Sequence, residues 1–524
     1  MRTIKLLDVT LRDGGYVNNW QFGEDATRLI LNKLNESGIE LIEAGFISQK
    51  EPASAGRTIY PSFEAANAQV AHLADSAQVA CMINYGAYSA DDIPSYHGKG
   101  VGTIRVAFHS KDLHGALHLC EQIAAKGYKV FVQPMATTGF TEDELEYLMT
   151  SCNQFAPEAV YIVDSFGTMQ REDVLRLLRY YDAHLNEGIS IGFHSHNNLQ
   201  LAFPNAQEIL RADVTHNLII DSSVFGMGRG AGNLCTELIA MFLNEHYDKT
   251  YQLVPILEII DTCLNAIFIK TPWGYSVPYY VAAINQCHPN YATYLLNKQT
   301  LGVQQINIIL SQIPRENKRS FDPSLAEKVY LEYQARSIDD TDTLTRLKDY
   351  FSGRPLLLLA PGKSITTHHD QIESFIRQKQ PRVVAINFIP NGLPMDTLFL
   401  SNTKRFASMK ELEDLFVIAT SNIPAQPTFR MVNYTSLINP GHSETDNAGL
   451  MLLRLLQKLG FTDIHFAGYD GFDVDIHENY YDDQLINNTI TEIFIERNQS
   501  VSEQLQVLMK TMQIHFLTPT RYVH

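Results

Sequence analysis

The sequence predicts an α/β protein: a (β/α)8 TIM barrel over residues 1–250, a helical extension over 251–346, and a Rossmann-like α/β domain over 347–524. Three observations carry this reading. Eight short apolar runs alternate with amphipathic stretches through the first 245 residues, at spacings of roughly 25–35 residues. Strand signals then stop from about 251 to 345, and alternation resumes beyond a turn-rich boundary near 346–353.

The expected barrel strands are IKLLDVTL, IELIEAGF, AQVACMIN, GTIRVAF, YKVFVQPM, AVYIVDSF, ISIGFHSH and NLIIDSSV. Helical patterns lie between them. In EDATRLILNKLNESG, Leu29, Ile30, Lys33 and Leu34 make one face before Gly38 ends the helix. HGALHLCEQIAAKG, TEDELEYLMTSCNQF and REDVLRLLRYYDAHL read the same way. A doubly wound open sheet shares this alternation; the count of eight favours the barrel. ILEIIDTCLNAIF, VPYYVAAINQC, YATYLLNK, VQQINIILSQI and LAEKVYLEYQA form the helical extension. RPLLLLAPG, PRVVAINF, DTLFLSN, LFVIATSN and DIHFAGYDG are the strands expected in the last domain.

Composition narrows the function classes. With 45% hydrophobic and 19% charged residues the chain is ordinary globular material, and its net charge of −17 opposes binding to nucleic acid or an acidic membrane surface. No apolar run approaches the roughly 20 residues of a bilayer span. The first residues show no signal peptide, and the six cysteines form no CxxC pair. A cytoplasmic protein with reduced thiols, assembled from several copies, is the expectation.

Chemistry in a barrel sits where strands end. Strand 1 ends in Asp8-Val9-Thr10-Leu11-Arg12-Asp13-Gly14-Gly15, and strand 7 in His194-Ser195-His196. Alternate side chains of a strand share a face, so both imidazoles can converge on one ion. An Asp-Gly pair alone marks a turn, and an HxH alone is more often a surface or core pair. Barrel closure brings the ends of strands 1 and 7 to one mouth, which favours a metal site. Two imidazoles and one carboxylate leave open positions suited to Mn²⁺, Mg²⁺ or Fe²⁺ and a chelating oxygen substrate.

DxTLRDG, HxHN and Gly226-Met227-Gly228-Arg229-Gly230-Ala231-Gly232-Asn233 together resemble the DRE-type metallolyase superfamily, whose members include 3-hydroxy-3-methylglutaryl-CoA lyase, isopropylmalate synthase and 4-hydroxy-2-oxovalerate aldolase. WGYSVPYYVAAINQ and the helices after it resemble the aldolase branch. The resemblance implies Asp13, His194 and His196 as ligands of Mn²⁺ or Mg²⁺, and Arg12 facing an enolate oxygen. It further implies Ser165 holding a substrate carboxylate, Glu43 in the pocket and Asn233 beside the metal. The implied reaction joins pyruvate and an aldehyde, or cleaves a 4-hydroxy-2-oxo acid into them. Where the aldolases carry a histidine base three residues after the metal-binding aspartate, this chain has Tyr16. Tyr16, Tyr275 or a water would then move the proton.

In the last domain, Ala360-Pro361-Gly362-Lys363-Ser364 lies between a strand and a helix, where backbone N–H groups favour an anion. It is no P-loop, because Leu357 stands where that motif needs glycine. The domain distantly resembles sialyltransferase-like and pterin-pyrophosphokinase-like families. Gly362, Ser364 and Asn387 would then serve a nucleotide or nucleotide-sugar, and the protein would act in sugar-acid or surface polysaccharide metabolism. Two competing functions remain: an acyl-CoA lyase or synthase on the same barrel, and a barrel that scaffolds a C-terminal nucleotide-sugar transferase.

Overall fold

The computed structural model describes residues 2–52, 54–73, 77–482 and 493–523. The chain divides into two compact units, one of Met1–Asn290 with Pro314–Phe321, the other of Tyr291–Ile313 with Asp322–His524.

The first unit holds strands β1 (Ile4–Asp8), β2 (Leu41–Ile47), β3 (Ile59–Tyr60), β4 (Gln78–Asn84), β5 (Thr103–Phe108), β6 (Lys129–Pro134), β7 (Ala159–Asp164), β8 (Ser190–Ser195) and β9 (Leu218–Ser222). Their order is β1-β9-β8-β7-β6-β5-β4-β2-β3, all parallel, and pairing of β1 with β2 closes an eight-stranded barrel. The two-residue β3 runs beside β2 as an addition to it. Strand alternation sorts the side chains into two cores. Leu6 packs with Ile30, Leu31 and Leu34 of the following helix, while Leu7 joins Leu41, Phe131, Tyr161 and Ile219 within the barrel. Helix starts follow local chemistry: Thr141 and Glu144 close a reciprocal capping box ahead of the helix Glu142–Phe155.

The second unit is an open parallel sheet of β10 (Leu356–Leu359), β11 (Arg382–Ile386), β12 (Thr397–Leu400), β13 (Val417–Thr420), β14 (Arg430–Val432), β15 (Asp463–Ala467) and β16 (Gln513–Phe516), in the order β14-β13-β12-β11-β10-β15-β16. The edge strands β14 and β16 escape a reading of hydrophobic runs. They are three and four residues long, and Gln513 and His515 of β16 are exposed.

The helical segment expected as one extension over 251–346 divides between the units. Leu253–Ile259, a π turn at Ile260–Leu264, Asn265–Lys270 and Val277–Ile284 stay with the barrel unit. Val303–Gln312 and Pro323–Gln334 belong with the second sheet. Hydrogen bonds from Tyr330 to Asp446, from Thr445 to Glu327 (2.9 Å) and from Asn402 to the Gln299 carbonyl (3.1 Å) tie them there. None of the six cysteines is in a disulfide among the described residues. Among the described residues no helix is long and apolar enough to cross a membrane.

Candidate active site

The loop after β1 is held by its own backbone. The N–H groups of Arg12 and Asp13 bond the Val9 carbonyl at 3.1 and 2.8 Å. Asp8 anchors this turn by accepting from the Thr10 N–H (2.9 Å) and the Thr236 hydroxyl (2.7 Å). Burial pushes the Asp8 carboxyl up to about 6 against those hydrogen bonds.

Asp13, His194 and His196 meet at the barrel mouth, all buried. Asp13 Oδ2 lies 3.6 Å from His194 Nε2 and 4.0 Å from His196 Nε2. The set fits a divalent cation on three grounds. The three ligand atoms lie within 4.8 Å of one another. Asn233 donates from Nδ2 to Asp13 Oδ1 (3.2 Å), yet its own Oδ1 is buried without a partner, a spare oxygen donor beside the cluster. Gly228 gives the space, since a Cβ there would lie 2.3 Å from Asn233 Nδ2 and 3.0 Å from Asp13 Oδ1. Burial would raise the Asp13 carboxyl, but Arg12 and the two histidines outweigh it and hold it well below the usual range. Burial pushes His196 down to about 3, so it stands as a neutral imidazole.

Behind the cluster lies a charged layer that the sequence reading missed in part. Arg12 Nε donates to Glu43 Oε2 (2.8 Å), and Arg12 also reaches Asp13. Glu43 Oε2 accepts from Arg105 as well (2.8 Å), and Arg105 pairs with Asp221. Glu43 is thus completely buried as the bridge between two arginines. Arg105 and Asp221 carried a readable signal, since each is a charged residue inside an apolar strand, in TIRVAF and LIIDS.

Beside this candidate metal cluster opens a cavity of about 320 Å³, lined by Tyr16, Ser165, Phe166, Arg229 and others. Ser165 Oγ accepts from the Ala136 N–H at 2.9 Å, leaving its own proton free to donate. Tyr16 is 41% exposed, packs on Trp20 and lies 5.5 Å beneath the Arg229 guanidinium. Tyr275 is 57% exposed and is not in the cavity wall. His109 and His288, which the motif reading passed over, do line it. Burial, with Arg229 adding to it, pushes His288 down to about 3.

Residues 3–262 match the HMGL-like family model. This part of the chain is an HMGL-like domain. Over 277 residues the chain is 27% identical to an oxaloacetate decarboxylase of Mycobacterium tuberculosis, covering 52% of this chain and 79% of that protein. Over 275 residues it is 27% identical to a 4-hydroxy-2-oxovalerate aldolase of Geobacillus genomosp. 3, covering 51% and 80%. Among solved structures, the Bacillus subtilis HMG-CoA lyase is similar at 18% identity and a TM-score of 0.41, covering 52% of this chain and 94% of that one. Both curated relatives are named for breaking a carbon–carbon bond, and the HMGL-like barrel is that of a carbon–carbon lyase.

Outside the HMGL-like barrel, the turn expected to bind an anion is occupied from within the chain. The Ser364 N–H donates to Asp470 Oδ2 (2.7 Å) and its hydroxyl to Asp470 Oδ1. Gly362 is pressed against the same residue, where a Cβ would lie 2.5 Å from Asp470 Cγ. The helix that follows has only four residues, Ser364–Thr367. Asn387 ties β11 to β12 by accepting from the N–H groups of Ser401 (2.9 Å) and Asn402 (3.2 Å). Gly362 and Asn387 nonetheless border a cavity of about 150 Å³ within the second unit, and Ser364 does not. This cavity lies at the carboxyl ends of β10 and β15, where the strand order reverses.

Proposed function

We propose that the HMGL-like barrel is a divalent-metal-dependent aldolase that cleaves a 4-hydroxy-2-oxo acid into pyruvate and an aldehyde, or joins them. The observation that carries this is the convergence of Asp13, His194 and His196 with Arg12 on one buried patch beside an open cavity. Mn²⁺ or Mg²⁺ bound by the three ligands, with Asn233 adjacent, would supply Lewis-acid stabilisation of the enolate charge.

The chain's own residues do the rest. Ser165 donates a hydrogen bond from its hydroxyl to the substrate carboxylate. Arg12, locked by Glu43 and Asp13, presents a fixed guanidinium to the oxygen on which charge develops. In cleavage the 4-hydroxyl proton leaves to a water at the cavity wall, or to the Tyr16 hydroxyl as that group passes its own proton to water. The bond between carbons 3 and 4 then breaks, its electron pair enters the enolate, and a proton returned to carbon 3 completes pyruvate. Tyr275 has no part in this reading, because it is exposed and outside the cavity wall.

The test is proton NMR of pyruvate in D₂O with the full chain and Mg²⁺. Enolate formation should remove the methyl signal even without an aldehyde, chelation should stop the exchange, and Arg12→Lys should slow it, since an ammonium cannot reproduce the planar guanidinium fork. No exchange beyond the metal-only control, together with acyl-CoA turnover, would move the function to the acyl-CoA branch.

For the second unit we propose a small-ligand site in the cavity bordered by Gly362 and Asn387. Its place at a reversal of strand order supports a nucleotide or nucleotide-sugar. At about 150 Å³ it admits one moiety of such a ligand, and the rest would lie outside. The aldolase would then build or trim a sugar acid for surface polysaccharide. A thermal-shift screen of nucleotides and nucleotide-sugars that shows no stabilisation would remove this reading.

A further inference from the structure

Both buried arginines of the barrel unit are paired with acids. Arg12 and Arg105 each contact two carboxylates. Arg229 has none within ion-pair distance among the described residues. It reaches His288 Nε2 from Nη1 (3.3 Å) and the Ser165 carbonyl from Nη2 (3.2 Å), and its Nε is buried with no hydrogen-bond partner. Arg319 lines the same cavity, likewise without a carboxylate, and donates to the Gly139 carbonyl (3.1 Å). Gly139 makes that approach possible, since a Cβ there would lie 2.0 Å from Arg319 Nη1. The other titratable groups of the wall are Tyr16, Tyr85, His109, His288 and Asp112. Asp112 is the single carboxylate among them and is within ion-pair reach of neither arginine.

A half-buried guanidinium without a counter-ion is costly. In a chain of net charge −17 acids are plentiful, so half-buried Arg229, with the exposed Arg319 beside it on one cavity, marks a place where a ligand brings the negative charge. The cavity also begins where the metal cluster ends: the Arg229 N–H lies 3.5 Å from Asp13 Oδ1, and Ser165 is in its wall. Its volume of about 320 Å³ leaves room for several carbons beyond the reacting bond.

We infer that the aldehyde half of the substrate ends in an anionic group, a carboxylate or a phosphate, which Arg229 and Arg319 hold. The word aldehyde rests on the aldolase reading; the anion pocket does not.

The test has a binding arm and a turnover arm, both on the full chain with Mg²⁺. Calorimetry in saturating pyruvate uses the unreactive probes glycerol 3-phosphate, succinate and glycerol. One anion should bind at least about tenfold more tightly than glycerol. Arg229→Gln and Arg319→Gln should each weaken it by about 10- to 100-fold, the range for charge-assisted hydrogen bonds. The tighter anion tells phosphate from carboxylate. In the turnover arm, kcat/KM for glyceraldehyde 3-phosphate or succinic semialdehyde should exceed that for glyceraldehyde and propanal, and Arg319→Gln should collapse the difference. Equal binding of all three probes would overturn the inference. So would variants that weaken pyruvate alone as much as the anions, because the arginines would then serve the pyruvate carboxylate. Anion binding lost in both variants, with no aldehyde turned over, would uphold the pocket and strike only the aldolase reading.

Discussion

His194 Nδ1 lies 3.0 Å from Asp221 Oδ2, so the proton on that nitrogen is directed away from the mouth and Nε2 is left facing Asp13. A carboxylate in this position fixes both the tautomer and the orientation of a ligand histidine. Asp221 is itself held by Arg105.

Asp221→Ala tests this relationship. His194 Nδ1 and Arg105 both reach Asp221 Oδ2, and the methyl group leaves both without that acceptor. Affinity for Mn²⁺ should fall by about 10- to 100-fold. Stability should fall by about 3 kcal/mol, since Arg105 keeps Glu43 but loses a buried partner. Calorimetric metal titration on the folded variant separates the two effects, and unchanged affinity would refute the orienting role.

Gly228→Ala should injure the metal site without unfolding the barrel. The added Cβ would lie 2.3 Å from Asn233 Nδ2, so Asn233 must move off Asp13. Weaker Mn²⁺ binding with a melting temperature within a few degrees of the parent is the expected result. Intact binding would mean that Asn233 is not needed beside the metal.

A chain cut after residue 346 should not yield a well-behaved barrel. Such a cut keeps Val303–Gln312 and Pro323–Gln334 but removes the sheet they belong with, exposing Ile306, Ile309, Leu310, Val329 and Tyr330. Because Pro314–Phe321 returns to the barrel unit, no single cut separates the two units. Gel filtration should report aggregation, and a monodisperse, metal-binding fragment would contradict this division.

Asp182 gives a pH-dependent contribution to stability. Its Oδ1 accepts from the Thr215 N–H (2.9 Å), the His216 N–H (3.2 Å) and His216 Nδ1 (2.7 Å). Burial would raise this carboxyl, but the hydrogen bonds from His216 and Thr215 outweigh it and lower it below its ordinary value. A depressed carboxyl stabilises the fold above its unfolded pKa near 4 and loses that contribution as pH falls through the folded value. Asp182→Asn should therefore cost about 1 kcal/mol at pH 7, after allowance for partial solvent exposure, and almost nothing near pH 2. Urea unfolding of both proteins at the two pH values checks it, and an equal gap at both would contradict it.

Local pattern determined much of this protein. Eight apolar runs with helical stretches between them specify the barrel, because a strand buried on both faces must be apolar throughout. The candidate triad was legible for a related reason: Asp13 lies in the loop after β1 and His194 and His196 at the end of β8, and closure of the barrel gathers strand ends. Other features depended on which residues far apart in sequence meet. Arg105 and Asp221 stand in strands 116 positions apart and become partners only when the barrel closes. Asp470 reaches Ser364 across 106 positions and fills the turn that local chemistry marks as an anion site. His288 and Arg319 enter the cavity wall from connections between helices, where periodicity says nothing. The edge strands β14 and β16 are too short and too polar to announce themselves, and take their form from β13 and β15 beside them. Sequence pattern reports the environment along an element, whereas charge compensation is settled between elements. The fold and the residues of the candidate metal cluster were therefore readable from the chain, and the partners of its buried charges were decided by tertiary structure.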